Sequence, residues 1–220
     1  FLGTYVVDKD GQLTETDLIQ DPGILFEGMD FHDGYLYSAV HGGGIRVYGL
    51  SDDNTLVFVG EAPSTNAWKV QVAGGYLYLA DGEGGLRIYS LADPAKPAML
   101  GQADSPGGAR DVAVHQGKAF VAMGGAGVGV YDVSDPTQPQ LTSVIDAQGS
   151  AQAVSPLGTA LAVAAWSHLA VYDLGTQQLL GTEDVKYYPQ FEQVFGVASH
   201  GDVAYVAEWE GLHAVRFVEG

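Results

Sequence analysis

The sequence has 220 residues, of which 46% are hydrophobic, 31 are glycine and none is cysteine. The apolar fraction suffices for a sizeable core, and the absence of cysteine excludes disulfides, thiolate zinc sites and a cysteine nucleophile. With 27 acidic against 9 basic residues, the formal net charge is −18, which disfavours nucleic acid and anionic membrane surfaces as partners because both repel it.

Targeting and membrane-spanning signals are not recognisable in this segment. Phe1-Leu2-Gly3 resembles the middle of a strand, and no apolar run approaches the ~18 residues of a membrane span. We therefore expect a mature or trimmed globular segment without membrane insertion. The sequence leaves its oligomeric state open.

Two β-capable segments come first in the chain, residues 2–8 and QLTETDLI (12–19). The stretch between them, VDKDGQLTETD (7–17), has the acidic spacing of a calcium loop, but no helix is predicted on either side. A Lys-Asp-Gly hairpin turn accounts for it better.

Three short apolar segments and one more polar segment follow, between Gly, Asp and Pro. Their alternating or continuous apolar residues over 5–7 positions predict strands rather than helices. The first set, called A to D here, comprises GMDFH (28–32), DGYLYSAV (33–40), GGGIRVYGL (42–50) and TLVFVGE (55–61).

The same set recurs along the chain with a period of about 42 residues, and an aromatic in strand C marks it best. Tyr48, Tyr89, Tyr131 and Tyr172 are separated by 41, 42 and 41 residues. Four short strands per repeat indicate a β-propeller. We predict one all-β domain, residues 1–220, with five blades of four antiparallel strands and an N-terminal strand closing the last blade. The predicted repeats are roughly 28–68, 69–110, 111–151, 152–193, and 194–217 plus 1–20.

Two of these repeats resemble a known family. GLRIYSLADPAKPAMLG (85–101) and GVGVYDVSDPTQPQLTS (127–143) are similar to the LVIVD repeat of bacterial and archaeal β-propellers. The resemblance implies a secreted or surface-associated protein, usually without an assigned reaction, and it carries no catalytic residues. The first and fourth repeats match the motif less well. The surplus strand at residues 2–8 leaves room for a fragment of a larger ring.

The stretch His41-Gly42-Gly43-Gly44 resembles the oxyanion loop of lipases. No G-x-S-x-G nucleophile elbow accompanies it, and its glycines align with the B–C turns DGEGG (81–85) and MGGAG (123–127). We interpret the glycines as a turn and keep only His41 as a candidate site residue.

Candidate ligand-binding residues collect on one face of the predicted disc. Because strands alternate in direction, the D–A and B–C connections share a face, and aromatics beside a few charges favour recognition of a small molecule, a glycan or a protein. The predicted binding residues are Trp68, Lys69, Arg110, Trp166, His168, Tyr187, Tyr188 and Trp209.

Three alternatives remain open at this stage. An enzyme (lyase, isomerase or hydrolase) would use His41 or His168 with a carboxylate such as Glu208 for acid–base chemistry, and Arg110 to stabilise an anion. His and carboxylates from different blades could hold a divalent cation, although we predict no metal site or cofactor. A purely structural repeat would place no cluster of polar side chains at the channel mouth, and aromatics filling the wedge between blades would then explain the tryptophans.

Overall fold

The computed structural model describes residues 2–184, 194–208 and 211–217. All secondary-structure elements in these residues are β-strands. The first two strands, β1 (Leu2–Val7) and β2 (Leu13–Ile19), form a hairpin. Four sheets of four antiparallel strands and one of three follow in chain order, which confirms a five-bladed β-propeller. The described residues contain no helix that could span a bilayer.

Each blade runs outward from the channel in the order A to D. Blade 1 consists of β3 (Phe26–His32), β4 (Tyr35–Val40), β5 (Gly44–Leu50) and β6 (Leu56–Ala62). Blade 2 consists of β7 (Lys69–Ala73), β8 (Tyr76–Ala80), β9 (Leu86–Ser90) and β10 (Ala98–Ala103). Blade 3 consists of β11 (Asp111–His115), β12 (Lys118–Ala122), β13 (Val128–Asp132) and β14 (Gln140–Ile145).

The last two blades differ in strand number. Blade 4 consists of β15 (Ala153–Leu157), β16 (Ala160–Ala164), β17 (His168–Asp173) and β18 (Leu179–Asp184). Blade 5 has three strands in the described residues, β19 (Val194–His200), β20 (Val203–Glu208) and β21 (Leu212–Arg216).

The N-terminal strand does not close the last blade, and this part of the prediction is wrong. Strand β2 pairs with β1 instead, from Leu2 opposite Ile19 to Val7 opposite Leu13. The connecting turn is short, with the Asp8 carboxylate accepting the N–H groups of Asp10 and Gln12. A partner a few residues away costs far less loop-closure entropy than one at the other end of the chain.

The hairpin instead packs on blade 1. Leu2 is buried in a cluster with Leu36, Tyr48 and Leu56. The Asp17 carboxylate accepts the N–H of Leu56 at 2.9 Å, which ties the hairpin to the outer strand of that blade.

Apolar clusters fill the junctions between successive blades. In β8, Leu77 and Leu79 pack toward blade 1 while Tyr78 and Ala80 pack toward blade 3. This alternation is the period-2 geometry of a strand, and it explains why the inner strands are apolar on both faces.

Side chains on the inner strands also tie neighbouring blades across the channel wall. The Asp30 carboxylate accepts the N–H of Val72 at 2.7 Å, and the Gln71 amide oxygen accepts that of Val114 at 2.5 Å. Between blades 4 and 5, the hydroxyls of Ser155 and Ser199 share a hydrogen bond of 2.7 Å. Three of the junctions between neighbouring A strands are thereby held by side-chain hydrogen bonds.

Candidate functional site

A cavity of about 570 Å³ lies on the face that carries the D–A connections, and residues from all five blades line it. This volume is within the range of small-molecule sites, about 300–1,000 Å³. The lining residues are Glu27, Trp68, Lys69, Arg110, Asp111, Gln152, Ala153, Trp166, Phe195, Gly196 and Val197.

Three of these side chains occupy equivalent positions around the channel. The backbone N–H groups of Trp68, Arg110 and Gln152 donate to the last residue of strand B in their own blades, at 2.9, 2.8 and 2.8 Å. The repeat therefore places one side chain from each of these blades at the same level along the channel. The side chain is aromatic in blade 2, cationic in blade 3 and an amide in blade 4.

Arg110 is the exposed cation of this set. Its Nη1 donates to Oε1 of Gln152 at 3.1 Å, and its Cζ lies 5.8 Å from the centroid of the Trp68 ring. A guanidinium above an aromatic face gains a cation–π attraction, so the amide and the indole together hold the group in place.

Lys69 is half-buried beside Gly28 of the preceding blade. The Gly28 N–H donates to the Trp68 carbonyl at 2.8 Å, and a Cβ on Gly28 would overlap the Lys69 side chain and backbone. The absence of a side chain at residue 28 thus lets blade 1 approach and direct the lysine stem.

Asp111 is buried in the cavity wall with both carboxylate oxygens engaged. Oδ1 accepts the N–H of Val112 and Oδ2 that of Val154, each at 2.9 Å. Burial raises the pKa of Asp111 to about 6, although the two N–H donors and the positive charge of Lys69 act in the opposite direction. Its role is to join blades 3 and 4.

His41 lies at the rim of the same cluster. Its ring meets Trp68 edge to face, with centroids 5.2 Å apart and planes at 88°, and its Nδ1 lies 3.9 Å from Oε1 of Glu27. His41 and Arg110 thus both contact Trp68, and His41 also has a carboxylate neighbour.

Trp166 has an unusual backbone for a large residue. Its φ is +68°, and it occupies the turn position taken by Gly82 and Gly124 in blades 2 and 3, where φ is +53° and +58°. The left-handed region suits glycine and is unfavourable for bulky side chains. The Trp166 side chain is 39% exposed, and it meets Phe195 at 6.1 Å between ring centroids.

Neither Trp68 nor Trp166 is buried between blades, so wedge-filling does not explain them. Three further predicted binding residues, Trp209, Tyr187 and Tyr188, lie outside the residues that the structure describes.

Two predicted residues are placed away from the cavity lining. His168 is buried at the start of β17, with Nδ1 3.2 Å from the Ser167 hydroxyl. Glu208 is largely buried, and its Oε1 lies 3.1 Å from Nε2 of His213 within blade 5. The structure therefore does not bring Glu208 into the pocket with His41 and Arg110.

The described residues contain no group of three His, Cys, Asp or Glu side chains that could hold a metal ion. Asp81, in the B–C turn of blade 2, is fully buried in a structural role. Its carboxylate accepts the N–H groups of Thr65 and Asn66 and pairs with Arg87 Nε at 2.6 Å.

The candidate site residues named from sequence omitted Glu27, Asp111, Gln152 and Phe195. The first three lie in or next to the D–A connections, so their position in the repeat was a usable signal. Phe195 immediately precedes the strand-A position that is equivalent to Lys69. Its place in the lining follows from the strand pairing of blade 5, which the sequence alone does not show.

Fold and cavity together define a β-propeller whose channel opens into a pocket of ligand size. Residues 64–105 and 106–146 each match the family model of the LVIVD repeat, which confirms the resemblance over these two repeats. No protein among the curated sequences matches the chain.

Solved structures agree on the fold. The chain is similar to a chain of the nidogen/laminin complex (TM-score 0.70, 11% identity, 97% of this chain and 84% of that one covered). It is also similar to Sqt1 of Saccharomyces cerevisiae (0.69, 8%, 97% and 65%). A third match is the computationally designed protein Ika8 (0.60, 13%, 95% and 75%). At such identities the similarity shows the fold alone.

Proposed function

We propose that this β-propeller is a binding module whose ligand occupies the cavity at the channel mouth. The candidate ligands are a small molecule, a glycan, or a side chain or terminus of a protein. The resemblance to LVIVD-repeat proteins extends the proposal to an extracellular or cell-surface location.

The observation that carries the proposal is the combination of Trp166 and Arg110 at one pocket. An exposed indole on an unfavourable backbone and a guanidinium held by an amide and a second indole are costly to arrange. Neither side chain is needed to bury the blade faces, which are filled by the apolar clusters.

The enzyme alternative is less well supported, because its proposed carboxylate is engaged elsewhere. Glu208 pairs with His213, and no other described carboxylate both contacts His41 closely and lies beside Arg110. A role for His41 in orienting Trp68 by their edge-to-face contact fits the geometry better.

Tryptophan fluorescence tests the proposal directly. A panel of monosaccharides, oligosaccharides, organic acids and short peptides is titrated into the protein and into Trp166→Phe and Trp68→Phe variants. We expect saturable quenching by at least one class of ligand, lost in the Trp166→Phe variant. His115→Ala, at an A–B turn on the opposite face, serves as the control and should bind normally. Absence of saturable quenching across the panel would overturn the proposal.

A further inference from the structure

Arg110 differs from the other arginines of the chain in the partner that its side chain has. Three of the four arginines, Arg46, Arg87 and Arg216, form ion pairs with aspartates in the described structure. Arg110 has no carboxylate partner among the described residues, and its side chain donates to the neutral amide of Gln152. In a chain of net charge −18, an arginine without an acidic partner is unexpected.

Lys69 is the second cation of the pocket, and it also forms no ion pair with a described carboxylate. It is the first residue of β7, directly after the Trp68 that Arg110 overlies. The two cations therefore come from adjacent blades and both line the pocket.

The two carboxylates of the pocket differ in their surroundings. Both oxygens of Asp111 accept backbone N–H groups, while Glu27 Oε1 lies 3.9 Å from His41 Nδ1 at the edge of the cavity. The cations that a ligand can meet are Arg110, which has guanidinium donors left over, and Lys69.

The opposite side of the cavity is aromatic. Trp166 and Phe195 lie edge to face, and each is more than one-third exposed, at 39% and 38%. An exposed indole face can pack against a flat ring or the apolar face of a sugar.

We propose that the cavity binds a small organic carboxylate, with the anionic group received by Arg110 and Lys69 and a ring-shaped body packed on Trp166. This inference rests on the proposed binding function and specifies its ligand class. A guanidinium presents paired N–H donors that match a carboxylate, and Lys69 adds a second positive charge.

Isosteric pairs of probes test the proposal. Calorimetry compares glucuronate with glucose, and benzoate with benzamide, so that each pair differs chiefly in the anionic group. We expect the carboxylate of at least one pair to bind at least tenfold more tightly than its neutral partner. The pair that shows this preference distinguishes a sugar acid from an aromatic acid as the source of the group.

Charge variants locate the effect. Arg110→Met and Lys69→Met should each remove most of the preference, while Arg110→Lys retains part of it. Lys118→Met, at an A–B turn on the opposite face, is the matched control and should keep the full preference. Urea unfolding midpoints establish that each variant is folded.

The outcomes separate the two proposals. Equal binding of charged and neutral probes, or a preference that survives in both the Arg110→Met and Lys69→Met variants, overturns the carboxylate inference and leaves the binding module standing. If no probe of either pair binds, the carboxylate inference fails. If the broader fluorescence panel is silent as well, the proposed function fails with it.

Discussion

The carboxylate of Asp111 on blade 3 accepts the backbone N–H of Val154 on blade 4, with an oxygen–nitrogen distance of 2.9 Å. This bond joins two strands 43 residues apart in sequence, in the wall of the cavity at the channel mouth. An ionisable group therefore serves as a structural tie between blades, which makes the stability of the junction dependent on pH.

The pKa of Asp111 gives the direction of that dependence. Burial raises it from 3.8 to about 6, so the folded state binds the proton more tightly than the unfolded state. The stabilisation from this proton is fully present below pH 3.8 and is lost as the pH rises through about 6. The shift corresponds to about 3 kcal/mol at most.

An Asp111→Asn variant isolates this contribution. Both proteins contain the other aspartates, so the effect of their pKa shifts cancels in the difference between the two free energies of unfolding. The free energy of unfolding of the wild type minus that of the variant should fall between pH 4 and pH 7, as measured by urea denaturation. The exposed Asp52→Asn serves as the control and should show no such change. A difference that stays constant over this range would contradict the prediction.

Strand D carries a glycine whose importance depends on the neighbouring blade. A Cβ on Gly60 would overlap the carbonyl oxygen of Ala95, and a Cβ on Gly101 would overlap that of Pro136. Both carbonyls belong to the turn between strands C and D of the next blade, which begins with Asp-Pro. Gly60→Ala and Gly101→Ala should each destabilise the protein by about 1–3 kcal/mol through overpacking.

Gly181 supplies the matched control, since it holds the equivalent position in blade 4 and no described residue beyond its chain neighbours lies within 4 Å of a Cβ placed there. Gly181→Ala should be neutral or stabilising by up to about 1 kcal/mol, because alanine restricts the unfolded chain. Urea denaturation measures all three variants, and a Gly181→Ala effect as large as that of Gly101→Ala would refute the turn-contact explanation.

The repeated tyrosine of strand C bonds to the D–A connection that precedes its blade. The hydroxyls of Tyr89, Tyr131 and Tyr172 donate to the carbonyls of Pro63, Asp104 and Asp146, at 2.9, 3.1 and 2.8 Å. Replacing Tyr131 or Tyr172 by phenylalanine should cost about 0.5–1.5 kcal/mol, the net value of a buried hydrogen bond.

Tyr48 provides the comparison, because its hydroxyl is buried and donates to no backbone carbonyl of the described residues. Tyr48→Phe should therefore change the free energy of unfolding by less than either of the other substitutions. Chemical denaturation at neutral pH ranks the variants, and a larger loss for Tyr48→Phe would count against this account.

The backbone of Trp166 can be tested with two substitutions that remove the same indole. Alanine keeps the unfavourable left-handed conformation and glycine relieves it, so Trp166→Gly should be more stable than Trp166→Ala by about 1 kcal/mol. This reverses the usual order of the two residues in regular structure. Denaturation curves of the two variants decide the sign, and a more stable alanine variant would show that the turn is not strained.

Much of the fold is predictable from the sequence because its signals are local. Tyr89, Tyr131 and Tyr172 recur because blades 2 to 4 use the same hydrogen bond to the preceding D–A connection, and the glycines of the B–C turns recur because each turn needs a positive φ. The positions of Trp68 and Arg110 at the channel follow from the same repeat. His168 is predicted on the binding face because it lies next to a B–C turn. Successive residues of a strand point to opposite faces, so a shift of one residue along β17 decides whether a side chain faces a blade junction or the pocket.

The sequence by itself determined the blade, its period, the acidic character of the chain and the face on which the D–A connections meet, since these depend on residue spacing within about 42 positions. The tertiary structure decided three further points. The N-terminal hairpin packs on blade 1 through Leu2, Glu208 lies against His213, and both carboxylate oxygens of Asp111 accept backbone N–H groups. The physical reason is that each of these three contacts joins residues that come together only when the chain folds. The same sequence pattern is compatible with several alternative partners for each group.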